Sequence, residues 1–256
     1  VVGKNFNPEI GFLRRADMQQ SFVSARFSPR PQSLETIRKF WWEASLDYIE
    51  DGSGQLETRS TKAKFGIEFE SGDLFGVGYR NNYEFLKQVF YITDDVAIPV
   101  DAYSFQDVHV AYFLGQQRAV SGTLLAERGS FFGGKKTGLG YRLARIALSP
   151  QIALEPNVMF HWVDLPQGNF TTTLVSTRAT YTVTPRMYVA ALFQYNSNAA
   201  AVSNNFRLRW EYKPGSELFV VYSDERLTTD RFIDRLRYSG LESRSFVVKI
   251  NRLLRF

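Results

Sequence analysis

Apolar and polar residues alternate one by one along most of this chain. Side chains of a β-strand point to opposite faces in turn, so a period of two predicts strands with one apolar and one polar face. The cleanest case runs from Phe206 to Tyr212. Phe206, Leu208, Trp210 and Tyr212 share one face there, and Arg207, Arg209 and Glu211 share the other. Phe75, Val77, Tyr79, Tyr83 and Phe85 oppose Arg80, Asn82 and Glu84, and Phe40, Trp42, Ala44, Leu46 and Tyr48 oppose Trp41, Glu43, Ser45 and Asp47. Ala63, Phe65, Ile67 and Phe69 oppose Lys62, Lys64, Glu68 and Glu70, while Val108, Val110, Tyr112 and Leu114 oppose Asp107 and His109. Residues 152–162 and 187–195 repeat the pattern more loosely, and 137–149 carries apolar residues on both faces. The last segment places Phe246, Val248, Ile250, Leu254 and Phe256 on one face, with Arg252 where an apolar residue is expected. Either that arginine snorkels or a bulge shifts the register there.

Segment length separates two readings of this pattern. Strands of soluble sandwiches average about 5 to 6 residues, whereas several segments here run to roughly 10, near the 9 to 11 that a tilted strand needs to cross a bilayer. Aromatic residues also gather at segment ends (Tyr48, Trp162 and Tyr212), where membrane barrels carry their girdles. Breaker-rich stretches divide the chain into about 13 strands. Two connections are long, near 87–103 and 225–240, and in an up-and-down order they fall on the same side. Membrane barrels have short periplasmic turns and longer external loops, which makes 87–103 and 225–240 external and the C-terminus periplasmic. The expected fold is therefore all-β: an antiparallel, up-and-down transmembrane β-barrel occupying residues 1–256, with 1–18 as a further external loop. An odd strand count makes the first and last strands run the same way, so at least one more strand is expected upstream.

Composition narrows the alternatives. No stretch approaches the roughly 20 apolar residues of a membrane helix, and mean hydropathy is −0.24; a chain like this spans a bilayer only as a barrel. Absent cysteine excludes disulfides and thiolate metal sites. A net charge of +5, with acids interleaved among the bases, gives little support for a nucleic-acid partner. No signal peptide opens the sequence, so for an exported protein that segment is expected to have been removed or to lie elsewhere.

The aromatic-ended closing strand, 246–256, resembles that of bacterial outer-membrane barrels. That resemblance implies lipid-facing Phe246, Val248, Ile250, Leu254 and Phe256, and recognition of the terminal aromatic by the barrel-assembly machinery. Val2 to Arg15 (VGKNFNPEIGFLRR), Phe27 to Pro31, Trp210 to Tyr222 and Arg244 to Lys249 together resemble the C-terminal barrel portion of a family of large bacterial outer-membrane proteins of uncharacterised function. Members of that family carry an N-terminal domain similar to a family-nine carbohydrate-binding module, and a carbohydrate-related role of that domain does not transfer to residues 1–256. The resemblance implies a Gram-negative outer-membrane location and no cofactor.

With the apolar face toward lipid, Lys62, Lys64, Glu68, Glu70, Arg80, Glu84, Asp107, His109, Arg207, Arg209 and Glu211 point into the lumen, where mixed charge lines a channel or stiffens the wall. Asp107 and His109 lie on one face at about 6 to 7 Å, too far for a direct catalytic dyad. His161 has no nucleophile in its sequence neighbourhood. Gly133 to Lys136 lacks P-loop spacing and reads as a hairpin turn. Phe232, Ile233 and Leu236 are spaced for a short amphipathic helix within 225–240, and the apolar content of 87–103 suggests a loop that folds onto something. The expected role is a pore, transporter or membrane scaffold without chemistry of its own; the alternatives are a barrel subunit anchoring envelope proteins and an outer-membrane hydrolase.

Overall fold

The computed structural model describes residues 1–4, 6–7, 9, 15–93, 95–228 and 238–254. Its strands are β1 (Met18–Phe27), β2 (Ile37–Asp51), β3 (Leu56–Phe69), β4 (Leu74–Phe85), β5 (Phe90–Thr93), β6 (Val96–Ile98), β7 (Ala102–Leu114), β8 (Val120–Phe131), β9 (Gly134–Ala147), β10 (Ile152–Leu165), β11 (Gly168–Thr184), β12 (Met187–Asn196), β13 (Ala201–Lys213), β14 (Ser216–Thr228) and β15 (Tyr238–Asn251). Thirteen of them form one antiparallel sheet in chain order from β1 to β15, while β5 and β6 pair with each other as a separate hairpin. The fold is all-β and up-and-down, with the strand count read from the sequence. The hairpin lies within the long connection expected near 87–103.

Turn chemistry accounts for the strand ends. Pro214-Gly215 joins β13 to β14, with Gly215 at φ 75°, a left-handed conformation that glycine adopts without the Cβ clash other residues meet. Between β2 and β3 the Asp51 carboxylate accepts from the Ser53 and Gln55 amides at 2.9 and 3.0 Å, holding the reversal without a longer loop. The expected hairpin turn at 133–136 is tighter than read, since β9 already begins at Gly134 and only Phe132 and Gly133 remain between strands.

Three sequence expectations need correction. Glu70 was placed on a strand face, but β3 ends at Phe69; Glu70 sits in the turn, its amide donating to the Thr36 carbonyl at 3.0 Å and its carboxylate pairing with Arg38 at 3.3 Å. β15 ends at Asn251, because the Leu253 amide turns to donate to the Ser216 hydroxyl at 3.0 Å. Arg252 and Leu254 therefore follow the strand and are not on its faces, whereas Phe246, Val248 and Ile250 pair with Tyr222, Val220 and Leu218 as one face. The ambiguous 137–149 contains Leu143 at φ 51° and 82% exposed, an irregularity that breaks the alternation inside β9. Phe256, Phe232, Ile233 and Leu236 lie outside the described residues.

The chain forms two compact units, one of Val1–Tyr112, Leu125–Gly138 and Trp162–Phe170, the other of Phe113–Leu124, Leu139–His161 and Thr171–Phe256. In the first, the tightest core is a cluster of Val96, Ile98, Phe132, Val163 and Leu165. In the second, Tyr195 and Val202 are directly paired and both buried.

Candidate functional site

Directly paired residues of an antiparallel ladder share a face, so register decides which charges meet. In the first unit Glu43 pairs with Lys64, and Lys62 with Arg80. Glu43 receives Lys64 at 3.3 Å and Arg26 at 3.8 Å, and Glu68 receives Lys39 at 2.8 Å. Further along, Arg80 reaches Asp107 at 2.8 Å and Glu127 at 3.0 Å, and Lys136 closes on Glu127 at 2.9 Å. Asp107 and Glu127 are only 7% and 9% exposed. Two carboxylates this buried are tolerable because the guanidinium fork and an ammonium satisfy them together. Of the predicted polar-face residues, Lys64, Glu68, Arg80, Asp107 and His109 are drawn into contacts on this face. Lys62 and Glu84, by contrast, have no charged partner within 4 Å among the described residues.

His109 is nearer to Asp107 than its spacing along the strand suggested. Nδ1 stands 3.7 Å from the Asp107 carboxylate, because the ring lies across Gly78 of β4, where any Cβ would collide with Cε1 and Nε2. The glycine leaves a shallow seat that lets the imidazole tilt along the sheet. That distance is beyond a hydrogen bond; Asp107 is held by Arg80, and His109 Nδ1 is buried without a partner. His161 Nδ1 instead lies 3.2 Å from the Thr172 hydroxyl. No three His, Asp or Glu side chains among the described residues converge as metal ligands.

The same face carries the β5–β6 hairpin. Tyr103 and Phe105 precede Asp107 by four and two residues, and Phe131 follows Glu127 by four, so all three share the face of the ion network. Against them pack Val96 and Ile98 of β6, with Phe132, Val163, Leu165 and Phe170 completing the cluster. Ile98 is 0% exposed. Phe132 sits at the centre of the aromatic packing, 5.1 Å from Phe105, 5.2 Å from Tyr103 and 6.2 Å from Phe90 between ring centroids. The base of the hairpin is closed by the Leu86 amide donating to the Asp101 carbonyl at 3.0 Å, and the Tyr103 hydroxyl donates to the Pro99 carbonyl, also at 3.0 Å. Burial of each aliphatic side chain contributes about 1.5–3 kcal/mol, enough in sum to hold a two-stranded ribbon that alone is marginal.

A second tether fixes the start of this connection. The Lys87 ammonium contacts Glu57 and lies 2.9 Å from Asp51, and Arg15 lies 3.4 Å from Glu57. The Ser53 hydroxyl, Lys87 and the Gln55 amide, in that order, hold the Asp51 carboxyl well below the ordinary carboxylate range; its neighbours raise Lys87. A depressed carboxylate stabilises the folded form above its unfolded value and loses that contribution as pH falls through its folded value. The contribution of Asp51 to the tether is therefore complete above about pH 4 and weakens in stronger acid. Exchange of the Leu86 amide, which donates to the Asp101 carbonyl, is expected to stay slow at pH 5 and to accelerate below pH 3, and Lys87→Met should show the fast exchange at both.

In the second unit Arg209 pairs with Glu217 and lies over the Phe219 ring at 5.8 Å. Glu211 accepts from the Gly215 amide at 3.0 Å. Arg207 stands between Ala190 and Val221 with no acid within 4 Å among the described residues. Glu127 and Lys136 are network members that sequence reading passed over, and Glu43, placed on the polar face of its strand, was not singled out as a site residue. Glu127 shares its face with Leu125, which blurred the alternation, and Lys136 was absorbed into a turn.

The opposite face is apolar and open. Val23, Trp42, Tyr79, Val108 and Trp162 in the first unit are exposed, as are Leu124, Leu139, Val189, Phe206, Trp210 and Phe246 in the second. Trp42 is 43% and Phe206 49% exposed, while the facing charges Asp107 and Glu127 are buried. No protein-family model and no curated protein matches this chain.

Proposed function

We propose that this chain is wall of an outer-membrane β-barrel whose polar face lines an internal passage, acting as a pore, transporter or scaffold without chemistry of its own. The observation that carries this reading is the inverted facing of the sheet. Water-soluble sheets turn polar residues outward and bury the apolar side; here Asp107 and Glu127 are buried and ion-paired on the face that carries the folded hairpin, and the aromatic side is exposed. Contiguous exposed apolar surface beyond a few hundred Å² marks a membrane or partner contact, and its spread over most strands suits lipid. Strand lengths of 10 to 17 residues agree. The β5–β6 hairpin then forms a constriction inside the passage.

β1 and β15 run in the same direction, each with one neighbour in the sheet order, so closure of the barrel takes an odd number of additional strands between them. Those open edges also favour a second reading, in which the wall anchors another envelope protein.

Fluorescence tests the facing. Single-tryptophan variants retaining Trp42, Trp162 or Trp210, folded into vesicles of brominated lipid, are expected to be strongly quenched. The variant retaining Trp41, whose ring covers Gly66 on the polar face and carries Arg26 at 5.4 Å, is expected to keep its emission. Equal emission from all four would sink the reading, as would folding as a detergent-free monomer with Trp42 unquenched.

A further inference from the structure

The polar face of the second unit holds a cavity of about 320 Å³ whose walls are set by register. Arg178, Leu192 and Asn205 form one cross-strand row; Thr180, Ala190 and Arg207 form the next; Thr182, Tyr188 and Arg209 form the third. Ala190, in the middle, has only a methyl group, so the floor drops between Leu192 and Tyr188. Arg178 and Arg207 stand on opposite sides of that pit, two strands and one row apart. Strand spacing and rise put their Cα atoms about 12 Å apart, within reach of two long side chains bending toward one small ligand.

The chemistry of the lining is one-sided. No Asp or Glu lines the cavity. The side chains of Arg207, Thr180, Thr182 and Tyr188 make no hydrogen bond within the protein among the described residues. Arg178 has one acid, Glu155, at 3.9 Å, the edge of an ion pair. Asn205 is held in place by donating to the Ser223 hydroxyl at 2.6 Å. The first unit neutralises most of its polar-face cations with adjacent carboxylates; this cavity instead gathers two guanidiniums and three hydroxyls, with Glu155 at the edge of reach of Arg178 as their one acid among the described residues. Donors in such surplus, with the forked geometry of arginine, match an anion with several oxygens.

We propose that this cavity binds a small oxyanion, a carboxylate, sulfate or phosphate group, with Arg207 and Arg178 as its charged ligands and the hydroxyls of Thr180, Thr182 and Tyr188 donating to the remaining oxygens. The site stands on the face of the sheet whether or not that sheet lies in a membrane, so quenching and binding experiments fail independently.

The test is calorimetric titration of the folded full chain, in detergent, with sodium sulfate, inorganic phosphate and citrate at constant ionic strength in chloride. Saturable binding of at least one is expected, and the order among them identifies the class of anion. Arg207→Gln should weaken it about tenfold or more, Arg178→Gln severalfold, and Tyr188→Phe by less. Lys249→Gln, paired with Phe219 outside the cavity, should leave it unchanged. These side chains are outside the packed cluster, and circular dichroism is the check that the variants fold. No saturable heat from any of the three anions would overturn the site, and so would equal losses in Arg207→Gln and Lys249→Gln, which mark diffuse charge attraction.

Discussion

Ile98→Asp is expected to release the β5–β6 hairpin from the polar face, and with it the proposed constriction, while the thirteen-stranded sheet stays folded. Ile98 has no exposure and lies in a cluster of Val96, Phe132, Val163 and Leu165. A carboxylate there has no partner to replace water, a cost of several kcal/mol, which exceeds what a short ribbon with few ladder bonds retains by itself. The long strands do not depend on the hairpin, since it pairs only with itself. In planar bilayers the variant is expected to conduct severalfold more than the parent, and protease should cut within residues 87–101 where the parent resists. Ile98→Val, missing one methylene at a cost of about 1 kcal/mol, should keep the hairpin closed. Unchanged conductance and unchanged protease resistance in Ile98→Asp would show that the hairpin does not limit the passage.

The second large effect belongs to Arg80. Its guanidinium is shared between Asp107 and Glu127, each buried, and Arg80→Met strands the Asp107 carboxylate while Lys136 still serves Glu127. Removing one partner of a buried ion pair costs about 3–5 kcal/mol, because the remaining charge stays desolvated. The denaturant midpoint in lipid vesicles should fall accordingly, and most of the loss should return in Arg80→Met/Asp107→Asn, where no isolated charge remains. Were Arg80→Met alone to unfold at the parental midpoint, the network would be solvated decoration and not part of the wall's structure.

Both predictions rest on residues whose roles were unevenly legible in the sequence. The two faces of β4 and β13 were readable because Arg80 and Arg207 sit in uninterrupted alternation, where a one-residue slip would move every side chain to the wrong face. Leu143 and Leu254 were not, since a left-handed residue inside β9 and a hydroxyl at the start of β14 break the period by contacts with no local signature. The separation of Asp107 and His109 was misjudged for a related reason. Spacing along one strand says nothing about Gly78 on the next, which makes the seat for the imidazole. The rest of the Arg80 network was equally hidden: Glu127 lies 47 residues from Arg80 in sequence, and Lys136 meets it only through that shared carboxylate.

From the sequence alone come the all-β class, the count of about 13 strands, the up-and-down order with a long connection after β4, and the two-faced character of the sheet. These follow from local rules: alternation within a strand and breakers between strands. Tertiary structure decided which charges neutralise one another, that the connection after β4 forms a hairpin buried on the charged face, and that Arg207 is left beside Ala190 without an acid. Each of these depends on cross-strand register and on the packing of distant side chains, quantities that a period of two leaves undetermined.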